Sequence, residues 1–225
     1  MQLNIINNLN LSDIPKAKII TDHPIAYESK DHQEPFGTAR DNTKNGAYVR
    51  ELIRRCGNDM RYMDIGCAGG GFVRQFLEQG VFAVGVEGSD YSKKNKRAEW
   101  AVIPEYLFTA DVTKPFHFEF GNNDRVLFDA ISAWDVLEHI HVNDLPQLLG
   151  NLRENLVNGG LFIASIATFA DVEKLHVTLQ HKPWWTALFN EHGFVEADPM
   201  VNWGRPCNQP WNIPTDFEVV YKKIS

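Results

Sequence analysis

Asp64 stands two positions before a glycine cluster, Gly66, Gly69, Gly70 and Gly71; Glu87 ends the apolar run VFAVGVE, and Asp111 follows the short run of FTADVT. A carboxylate at the end of a buried strand can accept hydrogen bonds from both hydroxyls of a ribose. A carboxylate followed by an amide, as in Asp111 and Val112, can read an adenine edge. The glycines let the backbone turn sharply and leave no side chains between it and a ligand. Taken singly, each acid could be a helix cap or a solvated loop residue. Three acids at the tips of one sheet point to a nucleoside cofactor, because open α/β sheets bind ligands outside the carboxyl ends of their strands.

The elements that must position these groups follow from periodicity. Tyr62 to Ile65 is short and apolar enough for a buried strand, and Phe72, Val73, Phe76 and Leu77 recur at helical spacing before Gly80. VFAVGVE, FTADVT and FDAISAWDVLEHI supply the second, third and fourth strands, the last running into a polar and acidic loop. Tyr48, Val49, Leu52 and Ile53 predict a helix that stops near Gly57. Leu145, Leu148, Leu149, Leu152 and Leu156 predict another, ended by Asn158, Gly159 and Gly160 before the strand LFIASI. The alternation in Phe217 to Lys222 suits a closing antiparallel strand, and the segment up to about Lys44, rich in Asn, Asp, His and Pro, reads as irregular. The basic run Lys93 to Arg97 reads as the exposed face of a helix after Glu87.

The four glycine and acid segments, in order and spacing, resemble the class I S-adenosylmethionine-dependent methyltransferases over roughly residues 45–166. The resemblance implies an α/β fold: a Rossmann-like, doubly wound, seven-stranded sheet, mostly parallel, with an antiparallel C-terminal strand and helices on both faces. It implies one domain, with residues 1–44 as an N-terminal cap segment, 45–166 as the cofactor-binding core and 167–225 as a substrate-side segment with the closing strands. Asp64, Gly66, Ala68 and Gly70 would line the methionine and ribose part of S-adenosylmethionine. Glu87, with Gly88 after it, would hold the ribose diol, Asp111 and the Val112 amide the adenine, and Trp134 the substrate side of the cofactor. Ala68 departs from the glycine common in the family.

Methyl transfer from a sulfonium is an in-line displacement, so much of its acceleration comes from aligning the acceptor behind the methyl carbon. A hydroxyl acceptor also needs its proton removed. Asp135 and His139 are the first candidates for the base, with His176 and His181 next. Asp135, Glu138 and His139, at i, i+3 and i+4, could also share one helical face as metal ligands, a spacing that resembles the set in magnesium-dependent quinone-pathway O-methyltransferases. No metal site is assigned, and Mg2+ stays an open alternative. Four of the six tryptophans lie late in the chain, Trp184, Trp185, Trp203 and Trp211. Trp184 and Phe189 suit a packed helix face, whereas Trp185, Trp203 and Trp211 suit either core or the C–H faces of a sugar. The stretch His23 to Asn42, with Tyr27, Asp31, His32, Arg40 and Asn42, is expected to fold over the cofactor mouth. With WDVLEHI and HKPWW it is similar to methyltransferases of bacterial and large-virus surface-glycan synthesis. That likeness implies O-methylation of a sugar, with His32, Arg40, His181 and Trp185 on the acceptor side.

Composition narrows the classes. With 225 residues and 44% hydrophobic content, the chain is sized for one well-buried core. Twenty-two Lys and Arg against 29 Asp and Glu give a net charge of -7, which opposes nonspecific attraction to nucleic acid. Cys56, Cys67 and Cys207 lack metal-ligand spacing, and no stretch is long enough to span a bilayer. A soluble cytoplasmic protein acting on a small molecule or glycan, without nucleic-acid or membrane partners, is the expectation. The alternatives are methylation of a phenol, quinone or other small molecule, a nicotinamide-dependent sugar oxidoreductase, and a non-catalytic binding module. The oxidoreductase would want a Tyr-x-x-x-Lys pair, but Tyr91 leads to Asn95 and Tyr48 to Leu52.

Overall fold

The computed structural model describes residues 11–33, 35–171, 173–198 and 217–224. Its main sheet is built from β2 (Arg61–Ile65), β3 (Phe82–Glu87), β4 (Leu107–Thr109), β7 (Phe128–Trp134), β8 (Leu156–Ile166), β9 (Phe194–Glu196) and β10 (Phe217–Lys223). The order is β4-β3-β2-β7-β8-β10-β9. β2, β3, β4, β7 and β8 pair in parallel, and β10 is antiparallel to both of its neighbours. Every residue of β3 is buried, as expected of a strand covered on both sides. This is the Rossmann-like sheet that the sequence implies, and its parallel strands send their carboxyl ends to one edge.

Helices α2 (Gly46–Cys56), α3 (Gly71–Glu78), α4 (Tyr91–Lys94), α5 (Leu145–Asn155) and α6 (Lys182–Glu191) flank the sheet. α2 starts where Asn45 Oδ1 accepts the N–H groups of Ala47 and Tyr48, and it buries Tyr48, Val49 and Leu52. α3 buries Phe72, Val73, Phe76 and Leu77, the stripe read from its spacing. Tyr48, Tyr62, Phe72, Phe76 and Trp134 form one aromatic cluster, with ring centroids 3.9 to 6.4 Å apart.

The local expectations differ from the structure in three places. The opening segment is not wholly irregular: β1 (Ala17–Ile20) pairs antiparallel with β5 (His117–Phe120), which pairs with β6 (Arg125–Val126), giving a second, three-stranded sheet, and α1 (Lys30–Gln33) adds one turn. Pairing across 100 residues leaves no local trace beyond the alternation of AKII. The basic run does not coat a long helix, because α4 has only four residues and Lys96 and Ala98 have positive φ. Arg97 instead bonds Ser92 Oγ and the Asp41 carbonyl. Leu156 ends the helix as the first residue of β8, so Asn158, Gly159 and Gly160 lie inside the strand, where pairing with β7 shifts register.

Candidate functional site

The glycine turn leaves β2 with Gly66 at φ 69°, Ala68 at 43° and Gly70 at 87°. Positive φ suits glycine and strains alanine, so Ala68 is held there by its surroundings. Its N–H donates to Glu87 Oε2 at 2.8 Å, and its carbonyl accepts Trp100 Nε1–H at 2.8 Å. A Cβ on Gly66 would run into Val136 Cγ2, and one on Gly71 into the Thr43 carbonyl. The turn is therefore clamped between the loop after β7 and the segment before α2.

Each carboxylate has a defined setting. Asp64 is 3% exposed, and its Oδ1 accepts from Ser132 Oγ at 2.6 Å and Tyr62 OH at 3.3 Å. Burial pushes its pKa up to about 7, against the hydrogen bonds of Ser132 and Tyr62. Glu87 Oε1 accepts from the Ser89 N–H at 3.2 Å and Thr38 Oγ1 at 3.3 Å; burial raises its pKa, and these bonds with that of Ala68 oppose the rise. Asp111 Oδ1 accepts from the Thr113 N–H at 2.9 Å and hydroxyl at 2.6 Å. Gly88 and the Asp111 amide bond the cap: the Ala26 N–H donates to the Gly88 carbonyl at 3.0 Å, and the Asp111 N–H to the His23 carbonyl at 2.9 Å. Val112 is buried, and its carbonyl accepts Asn151 Nδ2–H at 2.8 Å.

These residues fit a nucleoside group. Glu87 ends β3 and Asp111 follows the neighbouring strand β4, and the turn beside them is built so that a side chain at Gly66 could not be housed. A carboxylate has about four acceptor sites, and three donors engage Glu87, of which the Thr38 hydroxyl is the displaceable one. The stretch 23–42 touches Asp111, Gly88, Glu87 and Gly69 in turn, and Thr43 just beyond it lies against Gly71. Asn42 and Lys44 reach Glu99 at 3.1 and 2.7 Å, where Arg74 also binds at 2.8 Å, and the Glu99 N–H returns to the Gly69 carbonyl.

On the other side of β2, Trp134 ends β7 half-buried, with its ring 5.2 Å from Tyr48 and 5.9 Å from Phe72. Asp135 follows at φ 52°, and its Oδ1 accepts from Ser165 Oγ at 2.6 Å. The expected helical face of Asp135, Glu138 and His139 does not form, because only Leu137–His139 is helical, as a 3-10 turn, and Asp135 is turned into β8. His139 Nδ1 lies 2.8 Å from Asp31 Oδ2, a contact off the ideal N–H direction. Burial lowers the His139 pKa, but the Asp31 bond and charge, with the Glu138 charge, leave it raised overall. The His176 ring packs edge-on to His139, centroids 4.7 Å apart, and its Nδ1 is 2.7 Å from the Phe169 carbonyl.

The residues expected on the acceptor side divide. His32 stacks edge-on with Tyr27 at 5.4 Å, and its Nδ1 is buried next to Asp31 in sequence. Trp185 is fully buried, its Nε1–H donating to the Gln180 carbonyl at 3.2 Å, so it packs core and offers no face to a ligand. His181 is exposed at the start of α6, and Arg40 is exposed with its guanidinium 3.7 Å from the Phe36 ring. The described contacts of these two do not join them to the strand tips. Trp203 and Trp211 lie outside the described residues. Asp31 and Thr38 are the site residues that spacing does not reveal. Their only signal is the polar density of residues 23–42, since their partners lie 108 and 49 positions away in sequence.

Comparison with known proteins bears on the fold and the family. A family model described as a methyltransferase domain matches residues 38–203. A probable fatty acid methyltransferase of Mycobacterium tuberculosis is 32% identical over 111 residues, 49% of this chain but only 25% of that protein, so the chain matches about a quarter of the relative's length. Among solved structures, the 1,6-didemethyltoxoflavin-N1-methyltransferase of Burkholderia thailandensis, bound to 1,6-didemethyltoxoflavin and S-adenosylhomocysteine, superposes with a TM-score of 0.58 at 17% identity, covering 87% of this chain and 84% of that one. A TehB-like S-adenosylmethionine-dependent methyltransferase of Corynebacterium glutamicum gives 0.55 at 14% identity, covering 88% and 97%. With the family model spanning most of its length, the chain belongs to the methyltransferase domain family.

Proposed function

We propose that the protein transfers a methyl group from S-adenosylmethionine to a hydroxyl of a sugar, in a glycan or an activated sugar. The cofactor, when bound, supplies an electrophilic methyl group on a sulfonium. Glu87 and Asp111 hold its ribose and adenine, and Asp64, Gly66, Ala68 and Gly70 border its amino-acid end. His139 takes the acceptor proton, and Asp31 stabilises the resulting imidazolium from 2.8 Å. His176 and Asp135 line the same side. The observation that carries the reading is this pair, His139 in the turn after β7, the neighbour of β2, and Asp31 brought to it from α1. The residues gathered there, Asp31, His139 and His176, are an acid and two imidazoles, which suit an acceptor rich in hydroxyls.

A second reading, methylation of an acyl chain, draws on the identity to the mycobacterial relative. A screen with labelled methyl donor across sugars, nucleotide sugars, phenols, amines and fatty acids separates the two. Label on a sugar oxygen that disappears in His139→Ala supports the proposal, and label on acyl carbon alone overturns it.

A further inference from the structure

Glu138 has no solvent exposure, and its side chain lies beside two imidazoles. Its carbonyl accepts the Val177 and Thr178 N–H groups at 2.8 and 3.0 Å, which fastens the late segment to the turn after β7 and brings His176 against His139. Glu138 Oε1 accepts the Ala167 N–H at 3.0 Å, whereas Oε2 is buried with no hydrogen-bond partner among the described residues. A buried acceptor in that condition is costly unless something occupies it. Glu138, His139 and His176 can each present one ligating atom so that all three lie within 4.8 Å of one another.

Both imidazoles are also held from behind. His139 Nδ1 faces Asp31 at 2.8 Å, and His176 Nδ1 faces the Phe169 carbonyl at 2.7 Å. An oxygen at Nδ1 keeps the proton there and leaves the Nε2 lone pair for a metal, the arrangement that orients metal-binding histidines. We infer that Glu138, His139 and His176 form a site for one divalent transition ion, with Asp31 and the Phe169 carbonyl as orienting partners. Around a tetrahedral ion the three ligand atoms draw in to roughly 3.3 Å of one another. Two nitrogens and one carboxylate oxygen select zinc or cobalt over magnesium, which prefers an all-oxygen shell. Asp135, committed to Ser165, is not a ligand.

The consequence for turnover rests on the proposed function: a His139 lone pair given to the ion cannot take the acceptor proton, so the loaded protein is inhibited. Equilibrium dialysis with Zn2+, and absorption spectroscopy with Co2+, test the site on the full chain after chelator treatment. One equivalent of either ion, with a tetrahedral cobalt spectrum and no competition from Mg2+, is expected. Glu138→Gln and His176→Ala, each checked by thermal unfolding, should weaken binding by at least the roughly 10- to 100-fold that loss of an orienting partner costs. Asp31→Asn should fall inside that range, and exposed His141→Ala should bind as wild type. Absence of saturable binding, or wild-type affinity in both Glu138→Gln and His176→Ala, overturns the site. Binding without inhibition leaves the site standing and removes His139 as the base.

Discussion

The tips of β2, β3 and β4 and the ground beyond β7 are built in different ways. On the first side the polar groups are mostly held close in sequence: Glu87 by Ser89 and Ala68, at separations of 2 and 19, and Asp111 by Thr113 at 2. On the second, Asp135 depends on Ser165 at a separation of 30, and Glu138 on Ala167 at 29. His139 depends on Asp31, which lies in another part of the chain. A binding edge made from consecutive βα turns carries its chemistry as a motif. An edge assembled from remote segments does not.

The widest separation of the two regions should come from His139→Ala. Loss of a general base costs about 10²- to 10⁴-fold in kcat, whereas adenosylhomocysteine affinity by calorimetry should stay at the wild-type value. Weakened cofactor binding in that variant would merge the two regions.

Asp64→Asn probes the network under the cofactor edge through pH. The folded carboxyl sits at about 7 against an ordinary 3.8, so the folded state holds its proton longer. The contribution of Asp64 to stability therefore falls as pH rises from about 4 to about 7 and levels above that. A variant that cannot ionise escapes the loss, gaining on wild type by up to about 4 kcal/mol across that window. Thermal unfolding at pH 5, 6, 7 and 8 reads the widening gap, and parallel curves would place a charge-compensating partner at Asp64.

Glu87→Ala should cost roughly 1.5 to 3 kcal/mol of cofactor affinity, the worth of hydrogen bonds to a charged group, with the acceptor KM unmoved. An unchanged Kd would break the ribose assignment. Thr38→Val, which removes the single cap hydroxyl on Glu87, should shift cofactor affinity by less than about 1 kcal/mol. An effect as large as that of Glu87→Ala would make the cap, and not the strand tip, the main grip.

Legibility in the sequence followed the same division. Apolar runs, glycines and acids spaced along βα units were enough to place five parallel strands, the antiparallel β10, and the edge where Asp64, Glu87 and Asp111 sit. β1 escaped because its partner β5 is about 100 residues away. Trp185 was ambiguous in one dimension, since a helix face shows its period but not what covers it. The Asp135, Glu138 and His139 spacing misled for a related reason: i, i+3, i+4 means a common face only while the helix lasts, and here the chain enters a 3-10 turn after a left-handed residue.

The stretch from His23 to Asn42 gives its carbonyl to Asp111, its hydroxyl to Glu87 and its carboxylate to His139. One ribbon thus reaches both the tips of β3 and β4 and the turn after β7. Any displacement of that ribbon therefore alters the surroundings of Glu87 and of His139 together.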